Sequence, residues 1–212
     1  MNDKYCCYNH LGAHKTEEID YRIREKSRKS RICVITPHGG QIEWGVSELV
    51  RAVARTDFSW YLFEGCQKNR NKRELHITSH RFDEPRCLKL ICEHDLVLAL
   101  HGQKDPKEEL TYIGGRNKAA RLLISDYLRQ AGFKVPSKTP PRLKGEEWTN
   151  ICNRYSRRFG VQLEISKSQR MKFFDGNLKN LHDRTKTTAA FDKYITALRG
   201  ALMRIQNNIE QI

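Results

Sequence analysis

Four residues of this chain have the types and settings to do chemistry together: His38, Glu43, His101 and Glu164. His38 and Glu43 lie in Thr36-Pro37-His38-Gly39-Gly40-Gln41-Ile42-Glu43, where two glycines let the backbone turn tightly and approach a ligand. His101 ends a second apolar run and is followed by Gly102. Two imidazoles and a carboxylate are the N/O donor set of a hydrolytic zinc, and three protein ligands leave a fourth position open. Glu164 lies among apolar neighbours in Gly160-Val161-Gln162-Leu163-Glu164-Ile165-Ser166. Strand alternation puts it with Gln162, opposite Val161, Leu163 and Ile165. A carboxylate on such a strand is costly unless paired or functional, and beside a metal-activated water it is a natural general base and later acid. Each residue also has a plainer reading. His38 reads as a loop histidine with Glu43 capping the next helix, His101 as a hydrogen-bonded strand-end histidine, and Glu164 as a solvated edge carboxylate.

A wider set could serve the substrate. Asn153-Arg154 precedes Glu164, and an arginine grips a carboxylate with a bidentate fork. Arg116, after Gly114-Gly115, is a second candidate. His76, Thr78 and His80 alternate in a stretch that reads as a strand, so they share a face. His76 could line the cleft or brace a ligand, or one of these two histidines could replace a ligand named above.

These residues need elements to position them. Apolar runs predict strands at 31–37, 58–64, 74–79, 95–101, 132–135 and 161–166. Helical spacing predicts helices at 45–56, 116–130, 146–158 and 186–209, the last with one apolar stripe from Phe191 to Ile209. The alternation implies an α/β fold: a mixed, mostly parallel sheet with helices on both faces. In such sheets ligands bind at the carboxyl ends of strands, where His38, His101 and Glu164 stand. Residues 1–30 read as a polar, irregular segment with at most a short helix, and 31–212 as one catalytic domain ending in the long helix.

Composition narrows the partners. Net charge is +14 over 212 residues. Between Phe133 and Lys172 ten Lys or Arg stand against three acids. Such a field gathers polyanions, whether nucleic acid or acidic polypeptide. Aromatics interleaved with basic residues would favour nucleic acid, and Tyr155 among Arg154, Arg157 and Arg158 is the one clear instance. The seven cysteines are odd in number and contain no C-x-x-C pair, which argues against a disulfide framework or a cysteine-built zinc site. No run is long and apolar enough to span a membrane, and no secretory h-region is visible. A cytoplasmic protein is expected, and a phage protein released by lysis would look the same.

Several segments, taken in order, resemble a known family: Ile35-Thr36-Pro37-His38-Gly39-Gly40 with Ile42-Glu43, Leu62-Phe63-Glu64-Gly65, Leu75-His76-Ile77-Thr78-Ser79, Phe82-Asp83-Glu84-Pro85, Leu100-His101-Gly102, Ile113-Gly114-Gly115, Asn150-Ile151-Cys152-Asn153-Arg154 and Gly160-Val161-Gln162-Leu163-Glu164. Together they resemble the phage and bacterial poly-γ-glutamate hydrolases, some of them labelled phage-related replication proteins, over roughly residues 31–175. The resemblance implies a zinc-dependent amidohydrolase with a carboxypeptidase-like α/β fold that cleaves the γ-amide links of an anionic polypeptide. It implies His38, Glu43 and His101 as zinc ligands and Glu164 as the catalytic carboxylate. Asn153-Arg154 is similar to the carboxylate-binding pair of carboxypeptidases but falls after His101, so its order differs. Two rivals share these features: a zinc amidohydrolase of another peptide-like substrate, and a non-catalytic nucleic-acid-binding protein. The second has no need of the His-Glu-His set.

Overall fold

Strands covered on both faces read as near-continuous apolar runs. Three such runs are central strands in the computed structural model, which describes residues 3–212: β2 (Ile32–Gly40), β4 (Leu96–Gly102) and β6 (Gly160–Ile165). With β1 (Tyr21–Lys26), β3 (Ser59–Gly65) and β5 (Thr111–Gly114) they form a six-stranded sheet in the order β1-β3-β2-β4-β6-β5. The four inner strands are parallel, and β1 and β5 close the edges antiparallel. The α/β class and mixed sheet inferred above are therefore observed.

Alternation sorts side chains between two cores. Ile32, Val34, Leu98, Leu100, Val161 and Leu163 pack under α2 (Val46–Ala54), α5 (Lys118–Gln130) and α7 (Ala189–Asn207). Cys33, Ile35, Val97 and Ala99 face the other way, toward α1 (Tyr8–Gly12), α3 (Asn71–Leu75) and α4 (Pro85–Cys92). A short α6 (Lys167–Lys172) follows β6, capped by Ser166, whose hydroxyl accepts from the Gln169 amide at 3.0 Å. Glu84 caps α4 in the same way, accepting from Arg86 and Cys87, with Pro85 in the first turn.

Four local readings are corrected. Residues 21–26 are not irregular: Tyr21 and Ile23 point into the core while Arg22 and Arg24 face outward, which is how charged edge strands look. Residues 74–79 are not a strand, because α3 runs to Leu75 and Ile77–Ser79 turn through the site. The edge strand is 111–114 instead of 132–135, which gives the sheet a single Lys134 carbonyl bond to the Thr111 amide at 3.0 Å before Pro136 ends it. Residues 146–158 form turns, not a helix. The Asn150 and Asn153 side chains bond nearby backbone, competing with helical bonds, and Tyr155 (φ 63°) and Phe159 (φ 58°) take left-handed conformations. Among the described residues no helix is long and apolar enough to cross a membrane.

Candidate active site

The parallel pairing of β4 and β6 places His101 directly beside Glu164. Both follow the parity of Val97 and Ala99, so both face away from the helices α2, α5 and α7. In β2 the register against β3 slips between Thr36 and Gly39, a one-residue bulge that re-aims His38 at the strand end. The two glycines are required there. A Cβ on Gly39 would meet Ser47 Oγ at 2.4 Å, and Gly40 has φ 62° with space closed by Gly65 O at 2.6 Å. The turn then closes with the Glu43 amide donating to His38 O at 3.0 Å, which brings the carboxylate back beside the imidazole.

Three donor atoms converge. His38 Nδ1 lies 3.1 Å from His101 Nδ1 and 3.6 Å from Glu43 Oε2, and His101 Nδ1 lies 3.9 Å from that same oxygen. His38 Nε2 sits 2.9 Å from Ile77 O. A carbonyl only accepts, so Nε2 carries the proton and Nδ1 presents its lone pair to the triangle. His101 and His38 are both almost wholly buried. Burial, the largest cause, lowers the His101 pKa to about 3, so its ring is neutral at ordinary pH. Burial would raise Glu43, but the His38 ring and Lys72 outweigh it and hold the carboxyl well below its usual range. Glu43 Oε2 also accepts from the Gly102 amide at 2.7 Å, and Oε1 from Lys72 Nζ at 3.2 Å.

This donor set fits a zinc ion. Tetrahedral ligands about 2.0–2.2 Å from zinc lie ~3.3–3.6 Å apart, and the three separations bracket that span. Two imidazole nitrogens aimed at one another need a cation or proton between them. His76 stands alongside, stacked on His38 with ring centroids 4.1 Å apart and an interplanar angle of 20°. One donor atom each from His38, Glu43 and His76 lie within 4.8 Å of one another. His76 Nδ1 is 2.8 Å from Asp3 Oδ1, and Asp3 Oδ2 accepts from the Thr78 amide at 2.8 Å. His76 thus lines the cleft and packs against His38, without needing a strand.

These side chains open onto a cavity of about 440 Å³ that Glu164, Gln162, Lys72 and Lys104 also line. Glu164 Oε1 accepts from Gln162 Nε2 at 3.0 Å, and Gln162 Oε1 accepts from Asn150 at 3.0 Å. Burial, then the negative Glu43 nearby, pushes the Glu164 pKa up to about 8. Beneath the site the buried Arg170 guanidinium binds three carbonyls: Ile165 O at 3.1 Å, Gln103 O at 3.0 Å and Trp44 O. Each of those residues is one or two positions from Glu164, His101 or Glu43. Gly102 leaves the space, since a Cβ there would sit 2.6 Å from the guanidinium carbon.

Of the residues expected to bind substrate, His76 lines this cleft, and Arg154, Asn153 and Arg116 do not. Arg154 spends its guanidinium on Thr149 O, Phe82 O and His80 O. Asn153 is buried and holds the turn by bonding Gly145 O, Glu147 O and the Arg116 amide. Arg116 lies over the Phe159 ring, 4.9 Å from its centroid. Backbone turns with left-handed residues need such internal bonds, which is why Asn153 is buried and Arg154 bonds backbone carbonyls, while Arg116 stays exposed.

The family model described as poly-gamma-glutamate hydrolase matches residues 5–197. This chain belongs to the poly-γ-glutamate hydrolase family. The family match takes in most of the N-terminal segment and the first half of the long helix, beyond the 31–175 expected from the motifs. The UPF0714 protein YmaC of Bacillus subtilis (strain 168) is 38% identical over 202 residues, covering 94% of this chain and 84% of YmaC. The SPbeta prophage-derived UPF0714 protein YoqZ of the same organism is 37% identical, covering 82% of this chain and 62% of YoqZ. A bacteriophage poly-gamma-glutamate hydrolase structure superposes with a TM-score of 0.92 at 33% identity, covering 97% of this chain and 99% of that one. Zinc-free YndL superposes with a TM-score of 0.86 at 30% identity, covering 95% and 98%.

Sequence reasoning missed several cleft residues. Lys72, Gln162, Asn150 and Lys104 all line it. Only Gln162 carried a signal, since it shares the parity of Glu164. Lys72 sits in a basic run that reads as a solvated face.

Proposed function

We propose that this chain is a zinc-dependent amidohydrolase that cleaves γ-glutamyl amide bonds of poly-γ-glutamate, with His38, Glu43 and His101 holding the metal and Glu164 as the catalytic carboxylate. One observation carries the reading: three donor atoms of the right types at 3.1, 3.6 and 3.9 Å, in one cleft with a buried carboxylate. Family membership and a relative studied in zinc-free form support it. Zinc bound there supplies Lewis acidity, lowering the pKa of water from ~15.7 toward ~7 and polarising the amide carbonyl.

The protein's own groups do the rest. Glu164, oriented by Gln162, takes a proton from the attacking water and delivers it to the leaving amine. Lys72, bonded to Glu43, keeps that ligand ionised and leaves positive charge at the rim, where a substrate carboxylate arrives. His76, held by Asp3, packs the ligand His38 in place. The basic molecule concentrates a polyanionic chain by its long-range field.

The test is direct. Metal analysis of the purified protein should find about one zinc per chain, and incubation with poly-γ-glutamate should give shorter chains by size-exclusion. A chelator should stop the cleavage and added zinc restore it. Cleavage that persists after complete metal removal sinks the proposal, and so does zinc-loaded protein that leaves the polymer intact.

A further inference from the structure

A second cavity, of about 600 Å³, adjoins the first on the Trp44 side. The two are neighbours, because Glu43, Lys72, Gly102 and Lys104 line both. The second is cationic out of proportion to its size. Lys68, Arg70, Lys72, Lys104, Lys167 and Lys179 line it, and its only acid is Glu43. Some cations elsewhere are paired, as in Lys134 with Glu108, Lys172 with Glu109 and Arg51 with Glu64, whereas here five unpaired cations line one cavity. Among the described residues, Lys68, Arg70, Lys104, Lys167 and Lys179 make no ion pair, and the one acid present is already bonded to Lys72 and Gly102. Lys179 is not loose: its Nζ sits 5.2 Å from the Trp44 ring centroid. Like charges gathered without acids repel one another, and an anionic ligand relieves this.

We propose that this cavity is a carboxylate-binding subsite that holds successive γ-glutamyl residues of the substrate on the Trp44 side of the metal-binding triangle. The inference rests on the amidohydrolase reading above for the identity of the ligand. Chain bound here would pass Lys72 and Lys104, which line both cavities, to reach the first cavity, which Glu164 lines. Lys68, Lys167 and Lys179 approach the carboxylates from three segments, the loop before α3, the start of α6 and the loop before α7. They are specificity-determining for long anionic chains and touch no reacting atom.

The test uses labelled long-chain poly-γ-glutamate and the zinc-loaded Glu164→Gln protein, read by fluorescence anisotropy. Adding Lys68→Ala, Lys167→Ala and Lys179→Ala together should weaken binding by ~10-fold or more and flatten its salt dependence. In the enzyme with Glu164 intact, the same three changes should raise KM for the long polymer while kcat stays within about twofold, and should lower the ratio of kcat/KM on the polymer to that on a γ-glutamyl tetramer. A control with the same loss of charge at residues that line neither cavity, Lys26→Ala, Lys29→Ala and Lys186→Ala, separates local contact from net charge. Cavity variants that match the control in affinity and chain-length ratio overturn the subsite, as does zinc-loaded protein that does not bind the polymer. Binding with the expected loss but no cleavage by the unmutated enzyme leaves the subsite standing and fells the hydrolase reading. Cleavage with no difference between cavity and control variants does the reverse.

Discussion

In the proposed mechanism Glu164 is the residue on which the chemistry turns. Replacing it with Gln keeps the shape and the Gln162 contact but removes the base. Zinc content should stay at one per chain while kcat falls by ~10² or more, checked by metal analysis beside steady-state rates. The pH profile gives an independent reading. Burial, then Glu43, raises the Glu164 carboxyl to about 8, and a divalent cation in the triangle favours its ionised form and draws the pKa below that. A base works only when deprotonated, so kcat/KM should rise with pH along an acid limb centred below about 8. That limb should disappear from the residual rate of the Gln variant. The metal-facing residues separate by distance from the ion. Glu43→Gln should weaken zinc binding by more than the ~10–100-fold typical of groups that only orient a ligand, and Asp3→Ala, acting through His76, should fall within that range. Competition with a zinc chelator dye measures both.

At the scale of elements, three strand ends must keep their spacing within a fraction of an ångström. The bulge in β2, the β4–β6 register and the Arg170 clasp share that work. Arg170 has no carboxylate partner in its bonds; it joins the carbonyls of Trp44, Gln103 and Ile165, next to the residues that carry the chemistry. Arg170→Met leaves the Trp44 and Gln103 carbonyls without this donor, each costing ~1–3 kcal/mol, while Ile165 O keeps the Gln103 amide. Denaturant unfolding should therefore show a loss of at least ~2 kcal/mol, with zinc affinity falling in parallel. An unchanged unfolding midpoint would remove Arg170 from this role. Much of the arrangement was readable beforehand. The parity of Gln162 and Glu164, and the runs that became β2, β4 and β6, follow from side-chain period alone. The stretches 74–79 and 146–158 were misread because side-chain-to-backbone bonds and left-handed residues decide turns, and neither has a period.

At the scale of the molecule, the charge of +14 and the buried ion pairs matter most. The field is long-ranged and screened by salt, so KM for poly-γ-glutamate should rise as ionic strength passes ~0.15 M, while zinc content does not change. The C-terminal segment is tied to α2 by Arg184, wholly buried, whose Nε donates to Glu48 Oε1 at 3.0 Å while one of its terminal nitrogens has no partner. Glu48→Ala strands that charge, and unfolding measurements should show a loss of ~3–5 kcal/mol.

From residue types and periodicity alone came the four parallel strands, the sheet's two covered faces, and His38, Glu43, His101 and Glu164 as the residues to watch. Those signals are local: each depends on neighbours a few positions away, which the chain order already contains. Only the folded chain brought Asp3 to His76, Ile77 O to His38, Lys72 to Glu43 and Arg170 beneath three strands, and turned Asn153 and Arg154 inward. Those contacts join positions tens of residues apart, and packing, hydrogen-bond satisfaction and the desolvation of charge choose them together.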